Sequence, residues 1–192
     1  MRITQTAMLL GLSVAAQYYL TGLLGAGALF GQLVVGSLVN LFLVLAALTG
    51  GFFGGMTLAA VLPFVSFAIG RMPHFWMIPF VAAGNAAMAL CFWLIFKKKP
   101  FASFSLNWAA AALAGTFSKF LILYFGVVRI FVNFILPGDA ALNATQIEAT
   151  TAAVSFSYSL PQLATALVGC ILAYALYPAL KKALPEDAGG GK

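Results

Sequence analysis

Six long apolar runs, separated by short breaks rich in glycine, proline or lysine, constrain this 192-residue chain more than any other feature. A helix needs roughly 20 apolar residues to cross a ~30 Å hydrocarbon layer. The runs cover residues 6–24, 31–48, 52–69, 75–96, 106–136 and 152–180. They are far longer than the ~10-residue alternating segments of a membrane barrel. The pattern therefore predicts an all-α integral membrane protein with six transmembrane helices.

Composition supports this class and excludes others. Hydrophobic residues make up 63% of the chain and charged residues 7%, against about 45–50% and 25% in soluble domains. These values exclude a soluble enzyme and a disordered chain, and the basic residues lack the interleaving typical of nucleic-acid binding. We predict one membrane domain over residues 1–184 and a short polar tail over residues 185–192. Cys91 and Cys170 both lie in apolar runs and are expected to be inert.

The distribution of basic residues predicts the orientation. With six spans both termini lie on one side, together with the connection between the fourth and fifth runs. That side carries Arg2, Lys97, Lys98, Lys99, Lys181, Lys182 and Lys192, whereas Arg71 stands alone in the opposite connections. The positive-inside rule then places both termini in the cytoplasm. The polar connection over residues 137–151, with Asp139 and Glu148, faces outside.

The fifth run contains two ionisable residues, Lys119 and Arg129, and none of the six runs contains Asp or Glu. Ten residues correspond to about 15 Å along a helix, and at ~100° per residue Gly126 and Asn133 fall in the same sector. A buried cation without an acidic partner favours an anionic ligand or loses its charge. Alternatively, Arg129 extends to the headgroups and Lys119 bonds carbonyls at a helix end.

Neutral polar side chains at similar depth extend this stripe into a predicted solute site, with Trp76 covering a ring or apolar portion. The predicted binding residues are Arg129, Lys119, Asn133, Asn85, Trp76, His74, Tyr158 and Gln162. The neutral members could equally bond one another across helices. No catalytic triad and no metal-ligand spacing is visible, so we predict neither a catalytic nor a metal site, and no cofactor.

Small residues recur every four positions on the first run, at Ala7, Gly11 and Ala15. Such a stripe lets another helix approach closely. The partner helix could belong to this chain, or the stripe could dock a second membrane protein.

Taken together, the pattern resembles the substrate-binding S components of energy-coupling factor (ECF) transporters, the bacterial vitamin importers. The resemblance rests on the Ala7–Gly11–Ala15 stripe, with Gly at one small position of the family's Ala-xxx-Ala motif. The run from Gly54-Gly55-Met56 to Pro63-Phe64-Val65-Ser66 is also similar, as are Pro73, Pro79 and Gly84-Asn85.

This resemblance implies a capture subunit in the bacterial cell membrane that takes a small vitamin-like solute from outside. It implies docking on a transmembrane T subunit that is driven by two ATP-binding subunits. The chain has no Gly-xxxx-Gly-Lys-Ser/Thr phosphate loop of its own. The alternatives are a membrane-embedded enzyme or lipid-processing protein, and a free-standing small transporter.

Overall fold

The structure is a computed structural model that describes residues 2–25 and 29–183, apart from the side chain of Arg2. The predicted polar tail at residues 185–192 lies outside the described residues. The described residues form seven α-helices: α1 (Arg2–Leu24), α2 (Leu29–Thr49), α3 (Gly51–Ala68), α4 (Ile78–Lys98), α5 (Phe104–Leu123), α6 (Ala144–Ser157) and α7 (Leu160–Ala183). A 3₁₀ turn, Phe75–Met77, precedes α4, and a π-helical segment, Tyr124–Ile135, continues α5.

The described residues form helices, turns and irregular connections, with no strand among them. Six helical stretches are long and apolar enough to cross a membrane, the last of them comprising α6 and α7 together. The all-helical prediction and the number of membrane-length helices are confirmed. The described part of the chain thus has the architecture of a multi-pass helical protein.

Helix α2 is the centre of the bundle, and it packs against α1, α3, α4 and α7. Its residues 43–47 are all buried, and the neighbouring α5 packs on α4 and α7. Close contact with α7 depends on Gly169, where an added Cβ would lie 2.5 Å from the Cβ of Asn40. The glycine therefore brings α7 against the part of α2 that carries Asn40.

The bundle has two ends. At the Arg71 end, α1, α3 and the π-helical segment finish, and α2, α4 and α7 begin. At the lysine end, α2, α4 and α7 finish, with Lys97–Lys99 and Lys181–Lys182, and α3 and α5 begin. A small apolar cluster around Met77, Leu123 and Phe131 fills the Arg71 end beside the larger core.

The stretch from the last polar connection through the sixth run differs from the sequence prediction. The sixth run is not one helix from residue 152, because α6 already begins at Ala144 and the chain bends at Tyr158 and Ser159 before α7. Asn143 accepts a hydrogen bond from Gln146 N, and the Gln146 side chain accepts one from Asn143 N, each at 2.9 Å. This capping box starts a helix inside the stretch expected to be a polar connection.

Candidate functional site

Two neighbouring cavities lie at the Arg71 end and share Gly36, Arg71, Tyr158 and Gln162 in their linings. The outer one, the vestibule, has a volume of about 240 Å³ and lies between the starts of α2 and α7 and the end of α6. The inner one, the inner chamber, has a volume of about 80 Å³ and reaches Asn40, Ser66, Asn85 and Lys119. The two cavities together extend from the bundle end towards its middle.

Arg71 stands between the two cavities because of the way α3 ends. Gly70 adopts φ +74°, a left-handed conformation that glycine accepts without strain. The chain then folds back, and Arg71 N and Met72 N donate to Ser66 O at 2.9 and 3.2 Å. Burial lowers the pKa of the Arg71 guanidinium, and the proximity of Tyr158 opposes that shift. A guanidinium remains charged in proteins, so the site holds a fixed cation.

Lys119 supplies a second cation at the bottom of the inner chamber. Its side chain is only 4% exposed, and Nζ donates to Asn40 Oδ1 at 2.5 Å. An ammonium carries three donors, and within the described residues this is its one hydrogen bond. The ammonium is therefore held in place by a neutral partner, with donors left for another group.

Asn85 also lines this chamber, from α4, and is 2% exposed. Its Oδ1 is buried and has no hydrogen-bond partner among the described residues. A buried acceptor without a donor costs about 1–3 kcal/mol. The inner chamber therefore combines two cations, which attract an anion, with an acceptor that lacks a donor.

The buried face of α1 adds a polar seam next to the chamber. Ser66, which lines the chamber, donates through Oγ to Gln17 Oε1 at 2.6 Å. Gln17 Nε2 and the hydroxyls of Ser13 and Thr21 are buried without partners among the described residues. These three residues repeat every four positions, so they share one face of α1.

Four of the eight predicted binding residues line the cavities: Lys119, Asn85, Tyr158 and Gln162. Four do not: Arg129, Asn133, His74 and Trp76. Arg129 is exposed, donates to Tyr124 Oη at 2.8 Å and lies over that ring. Asn133 donates to the carbonyls of Val128 and Arg129, and Trp76 is exposed.

His74 joins two connections at the Arg71 end instead of lining a cavity. Its Nε2 lies 2.7 Å from Asp139 Oδ2, and its ring packs against Phe131. The hydrogen bond from His74 and one from Ala141 N hold the pKa of the Asp139 carboxyl below its usual value. We call this pair the His74–Asp139 clasp, because it ties the segment before α4 to the segment after the π helix.

The predicted binding residues did not include three residues of the cavity linings: Arg71, Asn40 and Ser66. For Arg71 the one available signal is the preceding Gly70, a residue that often ends a helix in a left-handed turn. Asn40 and Ser66 had weaker signals, because a polar residue in an apolar run can equally bond a neighbouring helix.

The acidic residues of the described chain, Asp139 and Glu148, lie outside both cavity linings. Within the same residues no group of three His, Cys, Asp or Glu side chains is placed to hold a metal ion. The site is therefore a cation-lined polar cavity in a bundle of membrane-length helices.

No protein-family model, no curated protein and no solved structure matches this chain. The fold and the cavity define its class: an all-helical protein with six membrane-length helical stretches and a cation-lined cavity.

Proposed function

We propose that this chain is a solute-capture protein of the bacterial cell membrane, acting as the S component of an ECF-type importer. The observation that carries the proposal is the inner chamber, in which Arg71 and Lys119 line a polar space with no acidic residue of the described chain. A negatively charged solute group would supply the missing partner and would be held by charge-assisted hydrogen bonds.

The solute also needs a hydrogen-bond donor close to its negative group. Asn85 Oδ1 has no donor within the described residues, and it lines the same small chamber as Lys119. A hydroxy acid, an amide-bearing acid or a monoprotonated phosphate presents both features within a few ångströms. The larger vestibule, with Gln32, Ser157 and Gln162, accommodates the neutral polar remainder.

The orientation predicted from the basic residues directs the two cavities to the outer side of the membrane, as a capture site requires. Seven basic residues lie on the side of the termini, against Arg71 in the opposite connections, so the positive-inside rule directs the Arg71 end outwards. A reporter fused after residue 192 should be active only in the cytoplasm. Activity on the outer side would place the cavities on the wrong face for uptake.

The importer assignment rests on α1. The Ala7–Gly11–Ala15 stripe is exposed along its whole length, and no other atom lies within 4 Å of a Cβ built at Gly11. An exposed face of small residues, with open space beside Gly11, suits close docking of another membrane helix. The partners in this proposal are a T subunit and two ATP-binding subunits, which should co-purify with the chain.

Binding is tested by comparing Arg71→Gln with Arg129→Gln. Both remove one guanidinium at the same end, but only Arg71 lines the cavities. Native mass spectrometry of the purified wild type identifies the retained solute, and calorimetry measures its affinity for each variant. We expect Arg71→Gln to weaken binding about 10- to 100-fold, and Arg129→Gln to change it less than about twofold.

Equal effects of the two substitutions, or retention of a cationic solute, would contradict the electrostatic basis of this site. Chemical turnover of the solute by the isolated chain would favour a membrane-embedded enzyme. Uptake by the chain without T and ATP-binding subunits would favour a free-standing transporter.

A further inference from the structure

A larger cavity, of about 540 Å³, lies at the lysine end, between the last turns of α2, α4 and α7 and the start of α5. Three lysines line it, Lys97, Lys99 and Lys181, together with four aromatic residues, Trp93, Phe96, Phe104 and Tyr177. The acidic residues of the described chain, Asp139 and Glu148, both follow the π-helical segment at the opposite end. The cavity thus combines a strongly basic rim with an aromatic wall.

The local backbone brings the lysines to this rim. Lys97 Nζ lies 4.7 Å from the centre of the Trp93 ring, in cation–π contact. Lys99 follows α4 in a left-handed conformation, with φ 45°, and its N–H donates to Ile95 O at 2.7 Å. Lys181 lies in the last turn of α7. The lysines therefore come from the ends of two different helices.

The start of α5 adds further donors at the cavity. Phe104, its first residue, lines the cavity, and the preceding Ser103 makes no side-chain cap. The first turn contains no acidic residue. Asn107 instead holds the preceding turn, accepting from Phe101 N and donating to Phe101 O and Ser103 O. The first-turn N–H groups of this 20-residue helix are left for solvent or an anion.

The aromatic residues of the cavity favour an amphiphilic ligand over a soluble anion. Phe104 and Tyr177 stack with ring centres 6.1 Å apart, and Phe96 packs edge-on to Phe104. Apolar surface beside ammonium groups suits a molecule with a phosphate head and an acyl tail, and basic pockets between membrane helices bind anionic headgroups. A free phosphate would leave the aromatic wall uncovered.

We propose that this cavity binds one anionic glycerophospholipid, with its phosphate among Lys97, Lys99 and Lys181 and its glycerol and first acyl carbons against Phe96, Phe104 and Tyr177. The site is separate from the vestibule and the inner chamber, and it does not depend on the solute-capture proposal. The chain provides matched controls, because Lys98 and Lys182 belong to the same last turns but lie outside the cavity lining.

The test compares K97Q/K181Q with K98Q/K182Q in the full-length protein. Each pair removes two charges from the same two helix ends, so effects of net charge and of helix dipoles are equal. Native mass spectrometry from mixed micelles measures retention of phosphatidylglycerol and of phosphatidylcholine. We expect K97Q/K181Q to weaken phosphatidylglycerol retention about 25-fold, since each lysine near anionic lipid contributes about a factor of five.

The control pair should change this retention less than about threefold, and K97R/K181R should keep it near the wild-type level. Equal losses in both glutamine pairs would overturn the proposal, because binding would then follow the overall charge of this end. Displacement of phosphatidylglycerol by millimolar inorganic phosphate would also overturn it, in favour of a soluble anion. A folding defect would appear as a lower unfolding temperature, and Lys99→Gln then serves as the single-site variant.

Discussion

At the scale of single residues, the bond between Lys119 and Asn40 joins α5 to α2 at the middle of the bundle. Both side chains are almost completely buried, at 4% and 1% exposure. The amide oxygen accepts from the ammonium at 2.5 Å, so it replaces part of the hydration that burial removed. The bond stabilises the protonated amine of Lys119, and because the amide is neutral, that charge stays available to a ligand.

This arrangement predicts unequal effects of single and double substitutions. Asn40→Leu leaves a buried ammonium with no hydrogen-bond partner in the described chain, and should lower the free energy of unfolding by about 2–3 kcal/mol. Lys119→Met together with Asn40→Leu replaces both partners by apolar groups and should recover most of that loss. Thermal unfolding of both single variants and the double variant measures the coupling. Additive losses would show that the bond contributes little.

The sequence was informative about Lys119 and less so about Arg71. A lysine inside an apolar run is costly, and that cost identified it as a candidate site residue. Arg71 lies in a connection, where a charge is unremarkable and serves mainly to predict orientation. Its place in the cavity depends on the left-handed Gly70 and the bonds to Ser66 O. Those contacts follow from where α3 ends, and a helix end is uncertain by a few residues in sequence-based prediction.

At the scale of elements, the π-helical segment explains why Lys119 and Arg129 do not share one face of the fifth run, although the sequence predicted that they would. A spacing of ~100° per residue placed Arg129 and Asn133 on the side of Lys119. From Tyr124 onwards the helix is wider, and contacts join residues five apart, as in Arg129 to Tyr124 Oη and Asn133 to Val128 O. The α-helical spacing no longer applies there, so Lys119 faces the chamber while Arg129 is exposed.

The His74–Asp139 clasp predicts a loss of stability in acid. Because the pKa of Asp139 is lowered in the folded protein, the unfolded state binds more protons between that pKa and the ordinary value near 4. The clasp therefore contributes its full stability above about pH 5 and loses it as the pH falls through the lowered pKa. Wild type should unfold at a higher temperature than Asp139→Asn at pH 7, and the difference should shrink towards pH 3.

Glu148→Gln is the matched control for this measurement, since it removes the other acidic residue of the described chain from an exposed position on α6. The unfolding temperature of Glu148→Gln should fall between pH 7 and pH 3 by almost the same amount as that of the wild type. If Asp139→Asn shows the same pH profile as wild type, the clasp does not contribute to stability.

At the scale of the whole molecule, the number and type of the long helices were predictable because membrane-length apolar runs leave few alternatives. The break between α6 and α7 was not anticipated, although Ser157, Tyr158 and Ser159 interrupt the apolar run there and Pro161 follows them. The sequence Asn143-Ala-Thr-Gln146 has the pattern of a capping box. It lies within residues 137–151, however, which were predicted to be a connection because they are polar. The contacts between helices were not predictable, because they depend on side-chain packing and hydropathy carries no information about packing.

The exposed stripe on α1 predicts a substitution that separates docking from binding. Gly11→Trp meets no atom of the described chain near its Cβ, so folding and solute affinity should be unchanged within about twofold. The proposed docking on a T subunit should be lost, because the indole fills the space that a partner helix would need. Co-purification with the T and ATP-binding subunits and solute uptake measure the effect.

Leu12→Trp is the control, because Leu12 is also exposed but lies about 100° around the helix from Gly11. It should preserve co-purification and uptake. If Gly11→Trp preserves them as well, the stripe is not a docking face.

The cationic inner chamber also affects how the protein responds to heat. An empty chamber keeps two positive charges near each other and an acceptor without a donor, and a bound anion relieves both costs only while the bundle is folded. By mass action, a solute at a hundred times its dissociation constant would add about 2.7 kcal/mol to the free energy of unfolding. Melting curves recorded with a panel of small acids would therefore identify solutes of the proposed capture site, and the measurement requires neither partner subunits nor ATP.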